Sequence, residues 1–531
     1  MHRATGSVDA TDDRMIRGLM RPDAFDHPVE DVELVETHIS WLIFAGEFVY
    51  KLKKPLKLDF LDFSDLEQRR YYCEEEVRLN RPWAPEIYVE VVPVTLTDGQ
   101  PGFGGQGAAV EWAVKMRRFD PACTLDRQLD AGRLSVDDVR QLANHVADRH
   151  EQAPRAPASA RARVLALAES FMWDNFDVLD GHVDAALVGE LRDWTRQELE
   201  RRRAMLAKRF DDGYVRDCHG DLHLGNLVRL ESGITTFDCI EFDEDLRQID
   251  TMCDLGFLVM DLHARDRADL ASQCLDRYLE VTGDHGGLSV LRLFVVYRSL
   301  VRAKVEVIRS QEREATADAH DDRLQAASHC ALAARIATHD RPGLVLMHGL
   351  SGTGKTWVSG RLLSALPAVR VRSDVERKRL FGIGETASSE SAPGEGLYDE
   401  ESNRQVYEHL VGVATSIIDA GYHAIVDAAF LHEHERRRFV ELGNERGVTT
   451  VIVDVTADRE IIEARLRQRG AQGRDASEAG SDVLAFQARV HEPLTESERA
   501  VSVTCDNSVS IDVEKIVTSI LMLASAGRSG Q

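Results

Sequence analysis

Long hydrophobic runs are missing from this sequence: no stretch of about 18 apolar residues occurs, so no membrane-spanning helix is expected. Positive charge is scarce as well. Only 65 Lys and Arg stand against 90 Asp and Glu, a net charge of −25 over 531 residues. That balance weighs against a protein that coats nucleic acid, because such affinity rests on Lys and Arg neutralising phosphates. The eight cysteines (Cys73, Cys123, Cys218, Cys239, Cys253, Cys274, Cys330, Cys505) never form C-x-x-C and never stand with histidine at zinc-finger spacing, so free thiols are expected. Met1 to Ala10 lacks the basic and apolar regions of a signal peptide. The expectation is a cytoplasmic protein with neither a membrane nor a nucleic-acid partner.

What remains is an ordinary globular balance, 43% apolar and 29% charged. The length calls for two or more domains. After an N-terminal extension over 1–30, residues 33–119 read as strands with one helix, and Ser135 to Ile336 reads as mostly helical. Arg341-Pro342-Gly343 then breaks an Ala-rich, charged segment. Beyond it, Leu344 to His348, Val369 to Arg372, His423 to Val426, Thr450 to Val455 and Val501 to Thr504 alternate with helical stretches, the pattern of a parallel sheet. The expected organisation is an α+β domain over 31–310, a helical linker over 311–340 and an α/β domain over 341–531. Ser388 to Glu395 and Gly470 to Gly480, rich in Gly, Ser and Glu, are expected as lid-like loops.

Gly349-Leu350-Ser351-Gly352-Thr353-Gly354-Lys355-Thr356 fits G-x-x-x-x-G-K-[ST] between a strand and a helix. In that setting, backbone N–H groups and the helix N-terminus cradle phosphates, Lys355 reaches the terminal ones, and Thr356 can ligate Mg²⁺. The second strand runs into Ser373-Asp374, which puts Asp374 at the carboxyl edge where it can accept a hydroxyl proton. Asp427 ends the third strand, as a metal-directed acid or a plain helix cap. Arg465, Arg469 and Arg474 suit a lid that closes on transferring phosphate, or a solvated basic face. With about 175 residues after Thr356, the size fits a small kinase. Residues 341 to about 525 resemble the P-loop kinases related to gluconate kinase, polynucleotide 5′-kinase and zeta toxins. That resemblance implies Asp374 as the residue activating the acceptor hydroxyl and Arg377 as a substrate holder.

A second constellation lies upstream. His219-Gly220-Asp221-Leu222-His223-Leu224-Gly225-Asn226 is H-x-D with Asn five residues after Asp221, and Asp238 follows twelve residues later. These types suit a hydroxyl base (Asp221) and two metal ligands (Asn226, Asp238) around ATP phosphates. Such a site also needs a strand lysine and a helical glutamate. Lys51 and Lys53 share one strand face, Lys51 being the first choice, and Glu76 is the preferred acid of Glu74-Glu75-Glu76. Glu241, Asp243, Glu244 and Asp245 read either as an acidic pocket mouth or as a solvated loop. Gly102 to Gly107 mimics a nucleotide-binding glycine motif but sits between strands and reads as a hairpin loop. Residues 30 to about 310 resemble the aminoglycoside phosphotransferase and choline-kinase branch of the protein-kinase-like fold. That branch usually gives Asp250 and Asp254 structural roles.

The whole chain thus resembles a bacterial two-domain fusion of these families. It implies an ATP- and Mg²⁺-dependent phosphotransferase with two sites, acting on hydroxyls of small polar metabolites such as sugars or amino sugars. Two alternatives stay open: one catalytic domain coupled to a nucleotide-binding regulatory one, or a P-loop half acting as a nucleotide-sugar or polynucleotide 5′-kinase.

Overall fold

The chain is described by a computed structural model covering residues 10–58, 61–313, 316–338, 342–385, 387, 396–472, 476–477 and 480–526. It divides into two compact units: residues up to Phe171 with Lys208–Leu258, and Met172–Ala207 with the chain from Val259 onward.

The first unit is built on a six-stranded antiparallel sheet. Its spatial order is Val32–Glu36, Ser40–Ala45, Phe48–Lys53, Ala109–Arg117, Tyr88–Thr97 and Gln100–Phe103. Gly102 falls inside the last of these strands, and Gly104 to Gly107 link it to Ala109–Arg117. Alternation along Phe48–Lys53 explains the layering. Tyr50 and Leu52 enter a core with Trp41, Ile43 and Val94, covered by Ile16 and Leu19 of the helix Ala10–Leu19. Lys51 and Lys53 take the opposite face, where the helix Leu66–Asn80 lies. Asp65 caps that helix by accepting from Glu67 N and Gln68 N at 2.9 and 3.3 Å. Its Cys73 and Val77 pack with Tyr88 and Val114 on the sheet. Helices Val136–Gln152 and Thr251–Ala264 frame the segment that carries His219 to Asn226.

The second unit holds a five-stranded sheet in the order Ala368–Arg372, His423–Asp427, Leu344–His348, Thr450–Thr456, Ser502–Asp506, every neighbouring pair parallel. Val345, Met347, Ile425, Val451 and Val453 are buried, as in a parallel sheet covered on both faces. The five expected strands are all present, Leu344–His348 with the expected bounds and the other four shifted by one or two residues at their ends. Helices Leu288–Glu312 and Ala317–Ala337 pack along each other through Leu300, Ala303, Val307, Ala326 and Cys330. The helix Ala268–Thr282, ended by Gly283 at φ +71°, lies against Ala368–Arg372, the edge strand of the sheet. The chain joins an α+β unit to an α/β unit that carries the P-loop.

No helix among the described residues is long and apolar enough to cross a membrane. All eight cysteines are free, and seven are buried.

Candidate active sites

In the second unit the strand Leu344–His348 feeds directly into the loop. Gly349, Gly352 and Gly354 adopt φ of +134°, +86° and +97°, and Gly354 caps the helix Lys355–Leu362. Glycine is needed there for space too: a Cβ on Gly354 would strike Asn507 Nδ2, and one on Gly349 would strike Val455 O. Lys355 Nζ folds back onto Gly349 O and Leu350 O at 2.8 and 3.0 Å. The loop is braced from outside by three groups. Arg465 donates to Thr353 O (3.1 Å) and Asn507 O (2.9 Å), Asn507 Nδ2 donates to Thr353 O (2.8 Å), and Gln487 Oε1 accepts from Ser351 N (2.8 Å). Asn507 and Gln487 carry no sequence signal, since the loop groups their side chains bind lie well over a hundred residues away.

A cavity of about 950 Å³ opens over this loop. Lys355, Thr356, Asp374, Arg377, Asp427 and Arg465 all line it. Asp374 stands in the first turn of the helix Ser373–Leu380. Arg377 is buried, donates to Leu397 O at 2.6 Å and stacks over Tyr398 at 4.9 Å, while its Nε has no hydrogen-bond partner among the described residues. Asp427 is buried, and its Oδ2 lies 3.2 Å from Ser359 Oγ. Glu435 joins the lining, its carboxyl pushed up by burial. Arg469 belongs to the helix Arg459–Gln472; Arg474, all of Ser388 to Glu395 and part of Gly470 to Gly480 lie outside the described residues. The open glycine cradle, the helix N-terminus and the oxygen donors Thr356 and Asp427 fit a nucleotide phosphate tail with a hard cation.

The first unit assembles its own cluster. Glu76 bridges both lysines: Lys51 Nζ at 2.8 Å from Oε1 and Lys53 Nζ at 2.7 Å from Oε2. Lys51 also reaches Asp238 Oδ1 at 2.6 Å, whereas Lys53, almost fully buried, ion-pairs with Glu241. Burial alone would raise the Glu76 carboxyl, but the two lysine charges outweigh it and hold it down at about 2. Burial works to lower Lys51, and Asp238 with Glu76 overcome it. Asp238 sits at φ +62°, an uncommon conformation for a non-glycine residue. Its N–H donates to the Tyr88 hydroxyl at 3.0 Å, and the next N–H, of Cys239, donates to Asn80 Oδ1 at 2.8 Å.

The loop with Asp221 is held from below. Asp254, fully buried, accepts from His219 N (3.0 Å) and Gly220 N (2.9 Å), with His150 Nε2 at 3.1 Å. Asp250 takes a two-pronged pair from Arg209 at 2.7 and 2.8 Å and caps Met252 N. Gly220, at φ +84°, has Leu246 O and Ile240 Cδ1 about its missing Cβ at 3.0 and 3.1 Å, which explains glycine in H-G-D. Asn226 Nδ2 donates to Asp221 O and Oδ2 at 3.0 and 2.9 Å, which leaves its carbonyl oxygen for a cation. Asp221 and Asp238 keep partly exposed carboxylates, and the Asp238 carboxylate and that carbonyl oxygen are donors of the type Mg²⁺ takes. Each of the four acids after Asp238 has a partner. Glu241 pairs with Lys53, Asp243 caps Asp245 N at 2.9 Å, Glu244 accepts from Gln248 at 2.5 Å, and Asp245 pairs with Arg163.

The family model for the AAA domain matches residues 344–494. Uncharacterized proteins of Mycobacterium bovis and Mycobacterium tuberculosis are 28% identical over 473 residues, covering 87% of this chain and 92% of theirs. A choline/ethanolamine kinase family protein from Mesorhizobium loti is 13% identical and covers 61% of this chain and 94% of its own, at a TM-score of 0.38. A gluconokinase from Sinorhizobium meliloti is 17% identical and covers 36% and 97%, at a TM-score of 0.25.

Proposed function

We propose that the protein is an ATP- and Mg²⁺-dependent phosphotransferase with two kinase-type sites, each passing the γ-phosphoryl group to a hydroxyl of a small polar metabolite such as a sugar or amino sugar. The observation that carries this reading is a repeated chemistry on two unrelated frames. In each unit a lysine and two metal-suited oxygen donors share a site with a further carboxylate, Asp221 in one and Asp374 in the other. In the first unit Lys51 holds the α- and β-phosphates, and Glu76 fixes Lys51. Asp221 orients the acceptor hydroxyl and takes its proton as the hydroxyl oxygen bonds to the γ-phosphorus. The bond to the β,γ-bridging oxygen breaks and ADP leaves. In the second unit Lys355 and the loop N–H groups hold the phosphates, Asp374 takes the proton and Arg377 holds the acceptor. Bound Mg²⁺, held by Asn226 and Asp238 or by Thr356 and Asp427, supplies charge neutralisation to the phosphates. Arg465 supplies positive charge beside the second site.

The test incubates the full chain with γ-labelled ATP, Mg²⁺ and pooled sugars, amino sugars and nucleosides, beside Asp221→Ala and Asp374→Ala, and identifies labelled products by mass. The expected result is two products, each lost in one variant only. Loss of both products from either single change refutes independent sites, and a product surviving both changes refutes the assigned bases.

A further inference from the structure

We propose that Arg370 is a positioning residue for the cation end of the P-loop site, and that the helix Ala268–Thr282, outside the segment matched by the AAA family model, acts on that site through it. The proposal rests on the reading above that this half binds Mg²⁺-nucleotide.

Arg370 lies on the edge strand Ala368–Arg372 and is 3% exposed. One side of its guanidinium faces the helix: Nε and Nη2 reach Asp276 Oδ1 and Oδ2 at 3.2 and 2.7 Å, and Nη2 reaches Glu280 Oε1 at 3.2 Å. Both carboxylates are buried. The other side faces the nucleotide loop. Nη1 donates to Thr356 O and to Ser359 Oγ, each at 3.2 Å. Ser359 Oγ in turn lies 3.2 Å from Asp427 Oδ2. The two residues proposed to hold the cation, Thr356 and Asp427, are therefore tied to one guanidinium, Thr356 directly and Asp427 through a single hydroxyl. The same helix grips the loop's helix separately, Gln273 Nε2 donating to Gly360 O at 2.7 Å and to Ser364 Oγ at 3.2 Å.

The chemistry favours positioning over filling space. A planar fork can face two carboxylates on one edge and two oxygens on the other, which an ammonium cannot do in one geometry. Groups standing behind metal ligands orient them, and their loss commonly costs 10- to 100-fold in metal affinity. The demand for a buried negative partner is strict, because an uncompensated guanidinium in the interior is strongly destabilising. Asp276 and Glu280 thus fix where Arg370 sits, and Arg370 fixes the first turn of the loop's helix and the face of Asp427.

The test measures binding of a non-hydrolysable ATP analogue to the full chain by calorimetry, once with Mg²⁺ and once with EDTA. The component abolished by Lys355→Ala reports the P-loop site. Arg370→Lys is expected to weaken that component at least tenfold with Mg²⁺ and less than twofold with EDTA. The double variant Arg370→Met/Asp276→Leu leaves neither partner of the main ion pair stranded, and is expected to fold and to show the same cation-selective loss. Equal weakening under both conditions, or none under either, overturns the positioning role. A wild-type titration with no component sensitive to Lys355→Ala overturns the nucleotide-site reading itself, and this inference with it.

Discussion

The two lysines of Phe48–Lys53 carry different burdens, and exchanging each for methionine separates them. Lys53 is almost fully buried between Glu76 and Glu241. Removing it strands Glu241, whose carboxyl burial already pushes up, so Lys53→Met is expected to destabilise the first unit by about 3 kcal/mol, the low end for breaking a buried pair. At roughly 2–4 °C per kcal/mol for a unit of this size, its thermal transition falls by about 6–12 °C. Lys51→Met leaves Glu76 still bound to Lys53 and frees Asp238, a partly exposed carboxylate. Its transition is expected to move by less than about 3 °C. Turnover by the site that needs Asp221 behaves the other way: Lys51→Met lowers kcat/KM by about 100-fold or more, the order seen when one phosphate-directed charge is removed. The assay pairs thermal denaturation with labelled-product formation on the same preparations. The reasoning is refuted if Lys53→Met leaves the transition in place while abolishing turnover, and Lys51→Met does the reverse.

Asp254→Ala removes the one carboxylate accepting from both His219 N and Gly220 N, so it should unfix the Asp221 loop without touching substrate. The expected outcome is faster amide exchange at residues 219–226 and loss of the Asp221-dependent product, whereas unchanged exchange there contradicts the role. Acid should weaken the fold through its buried histidines. Burial holds His145, His263, His285 and His329 at about 4, while the unfolded chain protonates its histidines near 6.5. Stability from these four is complete above pH 6.5 and is lost as pH falls towards 4. At pH 5 the loss is about 1–2 kcal/mol per histidine. Urea midpoints at pH 7.5 and 5 measure it, and equal midpoints rule it out.

The sequence made the frame legible where chemistry is local. Turn, strand and helix signals placed the P-loop between Leu344–His348 and Lys355–Leu362, and the H-x-D spacing put Asp221 beside Asn226. Strand alternation put Lys51 and Lys53 on one face, because a period of two treats them alike. What distinguishes them is their partners, Asp238 and Glu241, almost 190 residues away. The acids after Asp238 stayed open between a pocket mouth and a solvated loop for a similar reason: Lys53 and Arg163, which pair with Glu241 and Asp245, are distant in the sequence. Arg370 had no signal at all, as one arginine in a strand whose carboxylates sit 90 and 94 residues upstream.

The helix Ala268–Thr282 also shields a flank of the parallel sheet. An uncovered edge strand presents unpaired backbone groups to any passing chain. A fragment cut at the Pro-Gly break near residue 342 would keep the whole nucleotide loop yet strip that shield and leave Arg370 without its acids. The place where a gene would most naturally be divided is therefore not where the folded molecule divides. Recombination at that seam would produce a recognisable P-loop unit that is sticky, charge-frustrated and poor at holding its cation.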